Sequence, residues 1–123
     1  MPLALIWRAL AAILIVAISS YVWAQPLQPV PALVAHAIDR TGTLTATELQ
    51  VLDERLARFE QEKGTQIVVL LVPTTAPEDI AAYANRVANT WKIGRQNVGD
   101  GLLLVVAKNA RKLRTEVDTT LEG

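Results

Sequence analysis

Apolar residues fall along this chain in several different rhythms, and each rhythm predicts a different element. Ala9 to Ile18 runs without a polar side chain. Further on, Leu49, Leu52, Leu56 and Phe59 recur at helical spacing, while Asp53, Glu54, Arg55, Arg58, Glu60 and Glu62 cover the other side. That spacing predicts an amphipathic helix with the charged residues on its solvent side. Thr45-Ala46-Thr47-Glu48 supplies a capping box at its start, because the Thr45 hydroxyl and the Glu48 carboxylate can each accept the other residue's amide. Gly64 ends the helix with a residue suited to left-handed backbone.

Gln66 to Val72 and Leu102 to Ala107 are short, continuous runs rich in Val, Ile and Leu, the pattern of strands covered on both faces. Between them Pro77, Glu78 and Asp79 read as the first turn of a second helix, carried by Ile80, Tyr83, Val87 and Trp91 and ending before Gly94. Strand, helix and strand of these lengths predict a right-handed parallel βαβ unit. Lys108 to Arg111 carries turn residues, and Lys112 to Val117 then alternates, with Leu113, Thr115 and Val117 on one face. This predicts a hairpin to an edge strand, and the whole reads as an α/β fold with a small mixed sheet. No internal repeat or low-complexity tract interrupts it.

Arg8, the apolar run 9–18 and Val22-x-Ala24 have the layout of a signal peptide over residues 1–24, cleaved after Ala24. An uncleaved anchor is the rival reading, although Ala9 to Ala24 falls short of the roughly 20 apolar residues needed to span a bilayer. The expectation is an exported chain, periplasmic or membrane-associated. Pro26, Pro29 and Pro31 make residues 25–33 a stiff linker, expected to act as a spacer near the membrane, and place the folded domain at residues 34–123.

Composition then narrows the chemistry. Within 123 residues, twelve Lys and Arg balance twelve Asp and Glu, which argues against nucleic acid as a partner. There is no Cys, Ser19 and Ser20 both lie in the leader, and His36 is the single His, so thiolate, Ser-His-Asp and His-rich metal chemistry are excluded from the exported part. Gly94 to Gly101 has the glycine spacing of a phosphate loop, with Asp100 and Gly101 where Lys and Ser or Thr would stand, so nucleotide binding is not expected. His36 is expected to be a partly buried structural residue with no identifiable partner, and Tyr83 and Trp91 are expected in the core.

Several segments, taken in order, resemble the TPM domain family of exported bacterial and chloroplast proteins. They are Ile38-Asp39-Arg40-Thr41-Gly42-Thr43-Leu44-Thr45, Gly64-Thr65-Gln66-Ile67-Val68-Val69, Trp91-Lys92-Ile93-Gly94-Arg95, Gly99-Asp100-Gly101 with Leu102 to Ala107, and Arg111 to Val117 before Leu121-Glu122-Gly123. The resemblance covers residues 34–123. It implies an αβα sandwich, a membrane or periplasmic address, an association with metal-assisted phosphatase activity, and, in other members, a role in the assembly or repair of membrane complexes. Two departures stand out. Asp118-Thr119-Thr120 replaces the family's Gly-aromatic-Gly, and the sequence stops at Gly123 where the family continues into helices that cover the sheet, so one sheet face is expected to be poorly covered.

Asp39, Asp100 and Glu122 match acidic positions of the family, and in a sheet-centred fold their loops would converge at one edge. Three carboxylates without Cys or His would select Ca²⁺ or Mg²⁺. Arg95 and Arg114 would steady a phosphate. Each residue also has a plain structural reading: Asp39 as an Asx-turn residue, Asp100 as turn chemistry before Gly101, Glu122 as a solvated terminal residue and Arg95 as a solvated loop residue. The leading expectation is therefore a divalent-cation-binding interaction module that serves an envelope or membrane-protein partner. The alternative is a metal-dependent phosphomonoester hydrolase.

Overall fold

The computed structural model describes residues 25–94 and 100–117. The leader, Arg95, Asp118-Thr119-Thr120 and Glu122 lie outside the described residues. Four strands form one sheet in the order β1 (Ala37–Asp39), β2 (Gln66–Val72), β3 (Gly101–Ala107) and β4 (Lys112–Val117). β1, β2 and β3 run parallel, with Ile38 opposite Leu70 and Leu70 opposite Val105, and β4 returns antiparallel with Leu113 opposite Val106. Helix α1 (Ala46–Lys63) joins β1 to β2, and α2 (Ile80–Trp91) joins β2 to β3.

The ends of the helices follow local chemistry. At the start of α1 the Thr45 hydroxyl accepts from the Glu48 amide at 3.1 Å and the Glu48 carboxylate accepts from the Thr45 amide at 3.0 Å. Gly64 closes it at φ 74°, its amide donating to the Glu60 carbonyl. The second helix starts later than the Pro77 signal predicts. Asp79 is its cap, accepting from the Ala82 amide at 2.8 Å, so Pro77 and Glu78 lie before the helix, which ends at Lys92 with φ 55°.

Because side chains alternate along a strand, the parallel register sorts the sheet into two unequal faces. Val68, Leu70, Val72, Leu103, Val105 and Ala107 are buried, and Tyr83, Ala84, Val87 and Trp91 of α2 pack on that side with Ile38 and Ile93. On the other side Ile67, Val69, Leu71, Leu102, Leu104 and Val106 are only partly covered. There α1 lies over β1 and β2 with Ala37 beneath it, completing an αβα sandwich, yet none of its own residues is fully buried and Phe59 remains 40% exposed. The most sheltered stripe of α1 is Leu49, Leu52, Asp53, Leu56, Ala57 and Glu60, which corrects the assignment of Asp53 and Glu60 to the solvent side.

The Pro-rich segment is also placed differently from the expected spacer. It lies on the domain: the Trp91 indole donates to the Pro31 carbonyl at 2.7 Å, Arg86 donates to the Gln28 carbonyl at 2.6 Å, and Val30 packs against the core. Three prolines remove amide donors from the segment, so side chains of α2 hold it by its carbonyls. Among the described residues no helix is long and apolar enough to cross a membrane.

Candidate functional site

Asp39 ends β1 and turns its carboxylate onto its own loop. One oxygen accepts from the amide of Thr41 at 2.8 Å and from the Thr41 hydroxyl, and the other accepts from the Leu44 amide at 2.8 Å. Partial burial pushes the Asp39 pKa up, but the bonds from Leu44 and Thr41 together outweigh it and leave the pKa below its ordinary value. Both oxygens are thus engaged in shaping the entry to α1.

Asp100 lies at the far end of the sheet. Its carbonyl accepts from the Gln66 amide at 2.9 Å, and the next residue, Gly101, opens β3 opposite Gln66. Asp39 stands opposite Leu71 instead, five residues further along β2 than Gly101's partner and so six beyond the level of Asp100. At about 3.3 Å per residue the two positions are separated by roughly 20 Å along the strand direction, before the lateral step from β1 to β3 is added. Parallel pairing is the reason: a residue following one parallel strand and a residue preceding another fall at opposite edges. The expected sharing of one ion by Asp39 and Asp100 is therefore corrected.

Val117 of β4 pairs with Leu102, so β4 finishes at the edge where Asp100 enters, and Gly94, whose amide donates to the Gln66 side-chain oxygen at 2.8 Å, stands at the same edge. Arg114 sits on β4 opposite Val105 and pairs with Glu116 at 3.1 Å, its side chain 48% exposed. Arg95 and Glu122, the other two expected contributors, fall outside the described residues. Among the described residues no group of three His, Asp or Glu side chains is arranged to hold a metal ion, so these residues by themselves do not fit the implied Ca²⁺ or Mg²⁺.

One cluster escaped the sequence reading. His36, for which the sequence identified no partner, places Nε2 3.1 Å from the Glu60 carboxylate and Nδ1 3.8 Å from that of Asp53. The same Asp53 oxygen accepts the His36 amide at 2.6 Å and the Ala37 amide at 3.3 Å, satisfying donors on the short edge strand. Asp53 and Glu60 are seven residues apart, two helical turns, and so share a face of α1. That spacing was visible in the sequence; its target was not. The cluster borders a cavity of about 350 Å³ with Gln66 and Val68, and its bonds tie β1 to α1.

Comparison with known proteins adds family and fold. The TPM domain family model matches residues 37–123. Among solved structures, the chain is similar to a solution NMR structure of the N-terminal domain of a protein from P. gingivalis, with a TM-score of 0.67 and 24% sequence identity. The match covers 76% of this chain and 63% of that one. No curated protein matches.

Proposed function

Because the chain belongs to the TPM domain family, we propose that it acts as an exported, membrane-proximal interaction module in envelope or membrane-protein maintenance. The observation that carries this reading is the unequal cover of the sheet. Leu102, Leu104 and Val106 are only partly covered, and Leu113, opposite Val106, is 64% exposed, which leaves an apolar surface over β3 and β4 of the kind that partners occupy. The layout of residues 1–24 supports the exported address. Of the three carboxylates expected to hold a divalent cation, that of Asp39 is committed to its own loop.

The hydrolase alternative drew its phosphoryl site from Asp39 and Asp100 acting together, and their placement at opposite edges removes that support. A photo-crosslinking residue at position 113, introduced into the full chain in cells, tests the module. The expected product is an adduct with an integral membrane protein that is lost when Leu104 is changed to Glu. Divalent-cation-dependent hydrolysis of a phosphomonoester that disappears in Asp100→Asn, with no adduct from position 113, would replace this reading with the enzymatic one.

A further inference from the structure

Where β1 and β2 end, the Pro-rich segment passes over the turn leading to α2 and leaves a cavity of about 310 Å³. Val30, Pro31, Val72 and Thr74 line it, together with Arg40 and Tyr83. Tyr83 is 1% exposed, and among the described residues its hydroxyl has no hydrogen-bond partner. Yet no side-chain oxygen or nitrogen is sealed from solvent without a partner among those residues. The phenolic oxygen is therefore not sealed, and Tyr83 lines this cavity.

Arg40 brings the charge. Its guanidinium is exposed and unpaired among the described residues, although it is close enough to lower the Tyr83 pKa. Burial, the larger effect, raises that pKa, so the phenol stays protonated and able to donate at neutral pH. The neighbouring Arg86 is differently employed, bound to Glu78 at 3.0 Å and to the Gln28 carbonyl. Thr74 accepts the Ala76 amide at 3.0 Å, which leaves its own O–H free to donate.

We propose that this cavity binds a small oxyanion carried on an apolar stem, a carboxylate or a phosphomonoester, with the Arg40 guanidinium and the Tyr83 hydroxyl as its donors. A planar guanidinium fork meets either oxyanion with two parallel bonds. The nearly buried hydroxyl gains the partner it lacks, and the Val30, Pro31 and Val72 walls receive the stem. The position, beyond the carboxyl ends of two parallel strands, is where open α/β sheets place their ligands. The inference stands independently of the apolar face over β3 and β4, which lies on other elements.

Titrating the isotope-labelled full chain with inorganic phosphate and with butyrate, followed by amide NMR, tests it. Saturable shifts at Val72, Thr74 and Tyr83 are expected, and which anion binds more tightly tells a phosphate ligand from a carboxylate carried on a stem. Arg40→Gln should weaken binding by about tenfold or more, as expected for loss of a charge-assisted pair. Tyr83→Phe should weaken it by a few fold while leaving the melting temperature unchanged or higher, because it deletes a hydroxyl that has no partner among the described residues. Absence of saturable shifts with both anions at millimolar concentration would overturn the proposal, as would shifts of equal affinity in both variants.

Discussion

At Asp39 a single carboxylate organises the path from β1 into α1. Because its folded pKa is depressed, its contribution to stability is complete above the unfolded value, near 3.8, and is lost as pH falls through the lower folded value. Asp39→Asn should therefore flatten the acid limb of the stability curve below about pH 3.8, measured by urea unfolding at stepped pH. It should also destabilise the neutral protein by about 1–3 kcal/mol, since Asn keeps one accepting oxygen and replaces the other by an NH₂ that only donates, so either Thr41 or Leu44 loses its acceptor. The reciprocal cap at Thr45 sets a second residue-scale expectation: Thr45→Ala should cost about 1 kcal/mol in the same assay. Gly101 sets a third. A Cβ there would stand 2.7 Å from the Gly94 amide nitrogen and from an Ile93 methyl, so Gly101→Ala should destabilise by about 1–3 kcal/mol through forced backbone movement, seen as a lower melting temperature.

Among the elements, the Pro-rich segment departs furthest from what its composition suggests. Prolines predict a segment outside helix and sheet, and residues 25–33 are in neither, but that does not decide whether such a segment stands free or lies on a domain. Trp91 and Arg86 decide it, by presenting donors at Pro31 and Gln28 from α2. Trp91→Phe keeps most of the ring's packing and removes the indole donor. It should lower stability by about 1 kcal/mol. Amide hydrogen exchange at Leu27, Gln28 and Val30 should accelerate in that variant with α1 unaffected; uniform acceleration throughout the domain would instead assign Trp91 to the core alone.

For the whole molecule the governing feature is asymmetry between the two faces of one sheet. The α2 side buries Val68, Leu70, Leu103 and Val105 completely, whereas the α1 side leaves β3 and β4 partly open. Such a surface should bind a hydrophobic dye such as anilinonaphthalene sulfonate in the native state. Leu113→Glu should reduce that signal with a stability change within about 0.5 kcal/mol, because the side chain is already 64% exposed.

The helices, the two buried strands and the hairpin were legible in the sequence because their signals are local: a capping box, a 3.6-residue stripe, an apolar run, a strict alternation. β1 was not, since three residues give no periodicity and Ala37 and Ile38 are strand residues only because β2 lies beside them. The acidic positions were legible one by one, and the Asx-turn chemistry of Asp39 follows from its own tetrapeptide. Whether they meet was another matter. Parallel pairing sends the end of β1 and the start of β3 to opposite edges, a relation between strands that no local pattern encodes. The partners of His36 and the open hydroxyl of Tyr83 were equally out of reach, because each depends on packing between segments 17 or more residues apart in the chain. The sequence by itself determined which segments are helix and strand and which chemistries the chain lacks. Tertiary structure alone decided which charged and polar groups became neighbours, since those distances arise only when the sheet, the helices and the Pro-rich segment are assembled.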